Sequence, residues 1–449
     1  MNKSLVRKVF YPGYRMLRRD SVLAMAAEMR RVDKMTPDEV RAYQWQSLRR
    51  LLDHAAHHVP YYRKVFKQLG ATPEDIRTPE DFQTLPVLRK QDVRDNLRDL
   101  IAETDHGKFL YPEETGGSTG QNLFFYVDRQ AGQARKAAVL RMNEWLGIQV
   151  GDRKAALWGS RFRGSKLGRL ERAVKIWFDN TIEVSAYEMD QESIARSAKK
   201  ISRFKPDLLL AFPSSLYHFA QSTKGTGVWG AHPKVILSSG ETLYEWQRTV
   251  IEDALGGPVY DHYGCCEFSA IARECRLRDG LHIVADRVYV EAVPMVTQPS
   301  GEDIRELVIT GLHNYGMPFI RYAIEDTGSI TWEHCSCGLP LPRLKSLSGR
   351  VYDIVQAPNG NFLDGTFWGH VLKEGVEKFQ VTQDSLEEVK IAIVPTSEFG
   401  ESTKKYILDK VRQACGDKMR VTFDLKQEIS RTPSGKHRYV ISKVIRRRE

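Results

Sequence analysis

The sequence predicts an α/β protein: a large N-terminal domain with mixed β-sheets and packed helices, followed by a small α+β C-terminal domain. Three observations predict it. The chain has 449 residues, more than one ordinary hydrophobic core organises, so it should divide. From about residue 150, short β-rich runs alternate with longer helical stretches, the rhythm of an α/β domain that binds ligands at its strand ends. After Gly349-Arg350 the texture changes to β-rich runs, one helical stretch and a basic end. The boundary is expected there, giving domains 1–349 and 350–449.

The elements follow in order. The first 20 residues interleave Lys3, Arg7, Lys8, Arg15, Arg18 and Arg19 with Leu5, Val9, Phe10, Tyr14 and Leu17. Two readings stand: a helix packed on the protein's own surface, or a weak peripheral membrane contact. Residues 36–58 read as an amphipathic helix with Thr36 as N-cap, Pro37 in the first turn, and Trp45, Leu48, Leu52 and Ala55 on one face. Val59-Pro60 ends it. Strand-like runs cover Phe124–Val127, Ala155–Trp158, Leu208–Phe212, Lys234–Leu237 and Val259–Tyr263. Helical stretches cover Ser193–Phe204 and Tyr244–Leu255. Further strand-like runs follow at Leu281–Val284 and Glu306–Thr310, with a last helix near Thr403–Cys415.

Composition excludes several classes. Hydrophobic residues make up 41% and charged residues 28%, the balance of a globular chain rather than a disordered one. No window holds the roughly 18 apolar residues that span a bilayer, and the first residues lack the apolar core of a secretory signal, so a cytoplasmic protein is expected. The net charge of +10 is spread among 57 acidic residues without a long basic run. That argues against nucleic acid and for some affinity toward small anions.

Thr115-Gly116-Gly117-Ser118-Thr119-Gly120 is the most informative hexapeptide. Its glycines let backbone amides converge on an anion, and its hydroxyls add donors for phosphate oxygens. It is not a Walker loop, because no Gly-Lys-Ser/Thr follows. Further along come Tyr260-Asp261-His262-Tyr263-Gly264-Cys265-Cys266-Glu267, then the stretch Met317 to Gly328 containing Arg321-Tyr322 and Asp326-Thr327-Gly328. Ser348-Gly349-Arg350 and Arg431-Thr432-Pro433-Ser434-Gly435-Lys436 complete the series.

Together these motifs resemble the ANL (acyl-CoA synthetase, nonribosomal peptide adenylation, luciferase) superfamily of adenylate-forming enzymes. The resemblance is to its phenylacetate–CoA ligase branch, with the capsule-biosynthesis (CapK-like) ligase relatives. It runs from about Gln46 to Val440 and includes His58-Val59-Pro60-Tyr61-Tyr62-Arg63 and Leu85-Pro86-Val87-Leu88-Arg89-Lys90.

The resemblance implies an adenylate-forming fold and an ATP-dependent acid ligase, with a mobile C-terminal domain and coenzyme A as the expected co-substrate. The loop Thr115 to Gly120 should cradle the β- and γ-phosphates. Ser239, Gly240 and Glu241 match the adenine-side segment, and Tyr263, with Gly264 after it, should pack against the base. Glu267 matches the Mg²⁺-binding glutamate, Asp326 the ribose-binding aspartate, and Lys436 the catalytic lysine of adenylation, with Arg350 at the end of the large domain. Each role suits its chemistry: a carboxylate accepts two ribose hydroxyls, hard Mg²⁺ prefers oxygen, and an ammonium bridges two anions forced together. Three departures stand out: Gln121-Asn122 where many relatives have Lys-Pro, Tyr352 at the usual hinge position, and Glu325-Asp326 where the ribose motif commonly reads Gly-Asp.

Six cysteines occur, five of them between Cys265 and Cys337. Cys275, His282, Cys335 and Cys337 would complete a tetrahedral structural zinc shell, and the same positions match a metal site in this branch. Free buried thiols are the other reading. Cys265 and Cys266 are expected to line the nucleotide pocket. Trp158, Arg161, Phe212, Pro213, Ser214 and Gly264 are candidates for the acyl pocket. Three fates of the activated group remain open: transfer to coenzyme A, transfer to an amine or hydroxyl such as a surface-polysaccharide precursor, or transfer of the adenylyl group itself. Homodimers are common in the branch, but no interface is legible in the sequence.

Overall fold

The computed structural model describes residues 3–115, 122–158, 176, 179–185, 190–297, 299, 301, 303–350, 354–372, 374–430, 432 and 436–444, without the side chains of Ser348, Arg350 and Thr366.

A hairpin of β1 (Leu110–Glu114) and β2 (Phe124–Asp128) brackets the glycine-rich loop. The strands β3 (Lys154–Trp158), β4 (Thr181–Ser185), β5 (Leu208–Ala211), β6 (Val235–Ser239), β7 (Val259–Cys265), β8 (Ser269–Glu274), β9 (Leu281–Ile283), β10 (Val288–Thr297), β11 (Asp303–Gly311), β12 (Tyr322–Thr331) and β13 (Arg343–Arg350) join one ladder. Its order is β10-β11-β12-β13-β9-β8-β7-β6-β5-β3-β4. The expected strand runs are all present, shifted by up to three residues at their ends, and helices Gln191–Phe204 and Glu245–Leu255 alternate with them.

Strands β4, β3, β5, β6 and β7 are parallel. The chain moves outward from β3 to β4 and then returns to the other side of β3 with β5, so a topological switch lies between β3 and β5. Ligands bind at such a point, outside the carboxyl ends of the strands. Strands β10 to β13 join the rest of the ladder through a narrow seam: β13 meets β9 at only Arg343↔His282 and Leu344↔Leu281.

Helix Pro37–His58 forms as expected. Thr36 and Glu39 make a reciprocal capping box, and Leu48, Leu51, Leu52 and Ala55 are buried. Val59 is extended and Pro60 opens the next helix. Residues 3–32 pack on the protein's own surface: Val6, Tyr11, Val22, Ala26 and Met29 close over Ala134, Ala137 and Ala138 of helix Arg129–Trp145.

From Val355 the chain builds its own layer. Strands β14 (Val355–Gln356) and β15 (Phe362–Leu363) form a short hairpin. Strands β16 (Val376–Ser385), β17 (Glu388–Pro395), β18 (Arg420–Leu425) and β19 (Val440–Ser442) pair in the order β18-β17-β16-β19, and helix Glu401–Cys415 lies against them. Trp368, Phe379, Ile391, Ile407 and Val411 centre a core separate from that of the large sheet. Among the described residues, no helix is long and apolar enough to cross a membrane.

Candidate active site

A crevice is expected outside the carboxyl ends of the parallel strands. The pairing of β6 with β7 sets Ser239 opposite His262, beside Tyr263. Gly240 follows at φ +85, and a Cβ there would lie 2.9 Å from the Phe212 ring and 3.6 Å from Lys436 Cε. Only glycine allows that left-handed turn and that approach. Glu241 then turns back. Its carboxylate accepts hydrogen bonds from Ser214 N (3.1 Å), Ser214 Oγ (3.1 Å) and His437 N (2.8 Å). Burial raises its pKa, while these donors and Lys436 oppose the rise.

The C-terminal layer delivers Lys436 to the same crevice. Thr432 N donates to Lys436 O (2.8 Å) and Lys436 N donates to Thr432 Oγ1 (3.1 Å), which ties the backbone of Lys436 to Thr432. The Lys436 ammonium stands 5.8 Å from the Phe212 ring centroid, and Trp158 stacks on Phe212 with centroids 4.1 Å apart. Trp158 and Phe212 extend from the ends of β3 and β5, so this platform marks the topological switch. Gln247 Nε2 donates to Tyr439 OH (2.8 Å), a second tie between the layers.

Two tyrosine–carboxylate pairs form the other wall. Tyr263 OH donates to Asp326 Oδ2 (2.7 Å) and Tyr322 OH donates to Glu267 Oε1 (2.9 Å). Burial and the Glu267 carboxylate push the Tyr322 phenol well above its usual range, which keeps it a donor. Arg135 donates to the Glu267 carbonyl and pairs with Glu113 on β1 at 2.9 Å.

Arg321 explains the segment Leu85 to Lys90. It sits at φ +52, pairs with Glu291 at 3.1 Å, and donates to the carbonyls of Gln83 and Leu85. Leu88 exchanges backbone hydrogen bonds with Arg321 and Ala323. Of the two acids at the end of the ribose motif, Glu325 is tied to Lys90 while Asp326 faces Tyr263. Arg350 is the strand partner of Asp326. Thr242, just after Glu241, lies 3.6 Å from where a Cβ on Gly349 would be, so the two walls meet at the end of β13.

Thr115 closes the base of the glycine-rich loop: its N–H donates to Leu123 O (3.0 Å) and its Oγ1 accepts from Leu123 N (2.9 Å). Gly116, Gly117, Ser118, Thr119, Gly120, Gln121, Arg161 and Tyr352 lie outside the described residues. Pro213 and Ser214 are buried in the first turn of the helix that Phe212 precedes. Gly264 meets β8 so closely that a Cβ would fall 2.1 Å from Ser269 O, which makes it a packing glycine.

Cys275, His282, Cys335 and Cys337 come together, their four ligand atoms all within 4.8 Å of one another. Cys275 Sγ and Cys335 Sγ are 3.9 Å apart, and Cys337 Sγ lies 3.3 Å from His282 Nε2. Tetrahedral zinc with Zn–S near 2.3 Å would set sulfurs about 3.8 Å apart, so this donor set fits zinc. Burial pushes His282 down to about 4 and Cys337 up to about 12. The imidazole is thus ready as a neutral ligand, and the thiols would release protons on metal binding. Cys265 and Cys266 lie beside Glu267 and outside this cluster.

Sequence reasoning missed Tyr322 as the partner of Glu267, Arg135 behind it, and the Ser214–Glu241–His437 junction. Tyr322 stands inside a quoted motif, but Arg135 and His437 carry no local signal; their roles depend on contacts across 132 and 196 positions of chain.

Comparison with known proteins bears on the fold. Superposition on 2-hydroxyisobutyryl-CoA ligase in the postadenylation state, bound to an acyl-AMP, gives a TM-score of 0.73 over 92% of this chain and 91% of that one, at 21% identity. The same ligase in its thioesterification state gives 0.59 over 92% and 91%, at 21% identity. The fold is therefore that of the adenylate-forming acyl-CoA ligases. Within it the chain is a homologue of the phenylacetate–coenzyme A ligases and of CapK. It is 27% identical to the phenylacetate–coenzyme A ligase of Pseudomonas putida over 71% of this chain and 72% of that one. It is 24% identical to Protein CapK of Staphylococcus aureus over 86% and 85%, and residues 357–443 match the CapK C-terminal domain family.

Proposed function

We propose that the protein is an ATP-dependent carboxylic acid ligase that forms an acyl-AMP and then a coenzyme A thioester. The observation that carries this reading is the meeting of Lys436 with the Trp158–Phe212 platform and the Glu241 turn at the switch between β3 and β5. The acid would lie on the aromatic platform, the ribose hydroxyls on Asp326, the base against Tyr263 and the segment Ser239 to Glu241, and the phosphates in the loop Thr115 to Gly120. Mg²⁺, held through Glu267, would offset phosphate charge. Lys436 would bridge the attacking carboxylate and the α-phosphate, where positioning and electrostatics supply most of the rate.

Tyr322 orients the Glu267 carboxylate. Tyr322→Phe should raise the Mg²⁺ concentration needed for half-maximal activity by about tenfold, the worth of one hydrogen bond to a charged group; an unchanged Mg²⁺ titration would remove Tyr322 from the site. The better superposition on a postadenylation state supports reading the present arrangement as the adenylation conformer. A hinge at 349/350 would let residues 350–449 rotate for the second half-reaction. Because Glu241 holds the His437 amide, Glu241→Ala should weaken this conformer and slow adenylation about tenfold. It should leave thioester formation from a supplied acyl-AMP nearly unchanged, and equal losses in both steps would contradict the role.

A second reading keeps the adenylate and changes the acceptor to an amine or hydroxyl, for instance on a surface-polysaccharide precursor. It is favoured by the match of residues 357–443 to the CapK C-terminal domain, which lies within the part that would rotate for the second step. Mass spectrometry of reactions with ATP, Mg²⁺ and pooled carboxylic acids, with and without coenzyme A, separates the two. A coenzyme A thioester plus AMP supports the first reading. Acyl-AMP that accumulates unchanged with coenzyme A present supports the second.

A further inference from the structure

The helical segment Lys3–Leu17 has two apolar faces. One carries Val6 and Tyr11 into the core beside helix Arg129–Trp145. The other leaves Leu5, Val9, Met16 and Leu17 in solvent, at 45, 54, 79 and 83% exposure. Leu5, Val9 and Met16 recur at helical spacing, and Met16 and Leu17 are the most exposed large hydrophobic side chains among the described residues.

The segment is held in place. Lys3 pairs with Asp207 and Asp152, Arg7 pairs with Asp152 and donates to Val150 O, and Arg15 pairs with Asp20. Those ties use part of the basic charge. Lys8, Arg18 and Arg19 remain exposed with no carboxylate against them among the described residues. Exposed Arg129 joins them, donating to the carbonyls of Arg18 (3.2 Å) and Arg19 (2.7 Å).

An ordered apolar stripe flanked by four cations matches the interfacial region of an anionic bilayer: acyl chains take the stripe and headgroup phosphates take the cations. A second copy of this chain fits poorly. An isologous contact would set Lys8, Arg18 and Arg19 against themselves, with no facing acid to neutralise them. We propose that residues 5–19, with Arg129, dock the protein peripherally on an anionic lipid surface. The proposal does not depend on which acid or acceptor the enzyme uses.

Flotation of the full chain with vesicles tests it, comparing phosphatidylcholine alone with phosphatidylcholine containing a third phosphatidylglycerol, at low and high salt. The wild type should float with the anionic vesicles and bind neutral ones weakly. Arg18→Gln/Arg19→Gln should weaken anionic binding by about 25-fold, roughly fivefold per removed charge, and flatten its salt dependence. Met16→Ser/Leu17→Ser should weaken binding about tenfold or more and leave the salt dependence in place. Both double variants change exposed side chains and should keep the wild-type melting temperature. Equal flotation with neutral and anionic vesicles, or none with either, would overturn the proposal. So would a wild-type dimer in light scattering that the Met16/Leu17 variant dissociates.

Discussion

Lys436→Ala should lower acid-dependent ATP–pyrophosphate exchange by about 10² to 10³-fold, the scale seen when one preorganised charge-stabilising donor is removed from a transition state. Thioester formation from a supplied acyl-AMP should change by about threefold or less. In the present arrangement the ammonium lies above Phe212, at the point where an acid on the Trp158–Phe212 platform would approach the α-phosphate. Two anions must be pressed together there, and the low polarity of the aromatic walls strengthens the cation that bridges them. Lys436→Arg keeps the charge but replaces a compact ammonium with a wide fork, so it should recover only part of the rate. The two half-reactions discriminate because a lysine that only braced the domain would slow both alike.

The second large effect concerns stability. Cys335→Ser should take zinc from about one equivalent to well below it, and lower the melting temperature by about 5 to 10 °C, as expected for several kcal/mol in a chain of this size. The physical reason lies in the seam of the sheet. Strand β13 meets β9 through only two residue pairs, one of them Arg343↔His282. A metal bound by His282, Cys275 after β8, and Cys335 and Cys337 before β13 would clamp both sides of that seam. Because β8 runs from Ser269, beside the Glu267 turn, to Glu274, the cluster sits at the far end of the strand from the nucleotide wall. Residual activity in the cold should therefore survive metal loss. Protein purified without added zinc, yet metal-free and with an unchanged melting profile on adding zinc, would leave four neutral donors, three of them buried, and no clamp.

Local physics made much of the fold legible. Thr36, Pro37 and Glu39 announce a helix start because a hydroxyl and a carboxylate satisfy amides that nothing else reaches. The β-rich runs at residues 155, 208, 235 and 259 alternate with helices because a parallel sheet must return its chain across a face. The order of strands was less legible. The β9–β13 seam joins strands some sixty residues apart, and no local pattern encodes that pairing. The site followed the same division. Asp326 and Lys436 stood out by resemblance to ordered motifs. The partners that orient them, such as Tyr263 on Asp326 and Glu241 on the neighbour of Lys436, depend on where folding brings distant elements together. The N-terminal stripe was visible only as a mixture of basic and apolar residues. Its second, exposed face could be recognised only after the first face was seen to be buried.

Acid-dependent exchange of labelled pyrophosphate into ATP, measured on the full chain with pooled aryl and aliphatic carboxylic acids, tests the central claim most directly because it requires reversible acyl-AMP formation and nothing after it. Exchange that appears with one acid pool, needs Mg²⁺ and collapses in Lys436→Ala is the expected result. Exchange without any acid, or acid-dependent exchange that Lys436→Ala leaves intact, would contradict it.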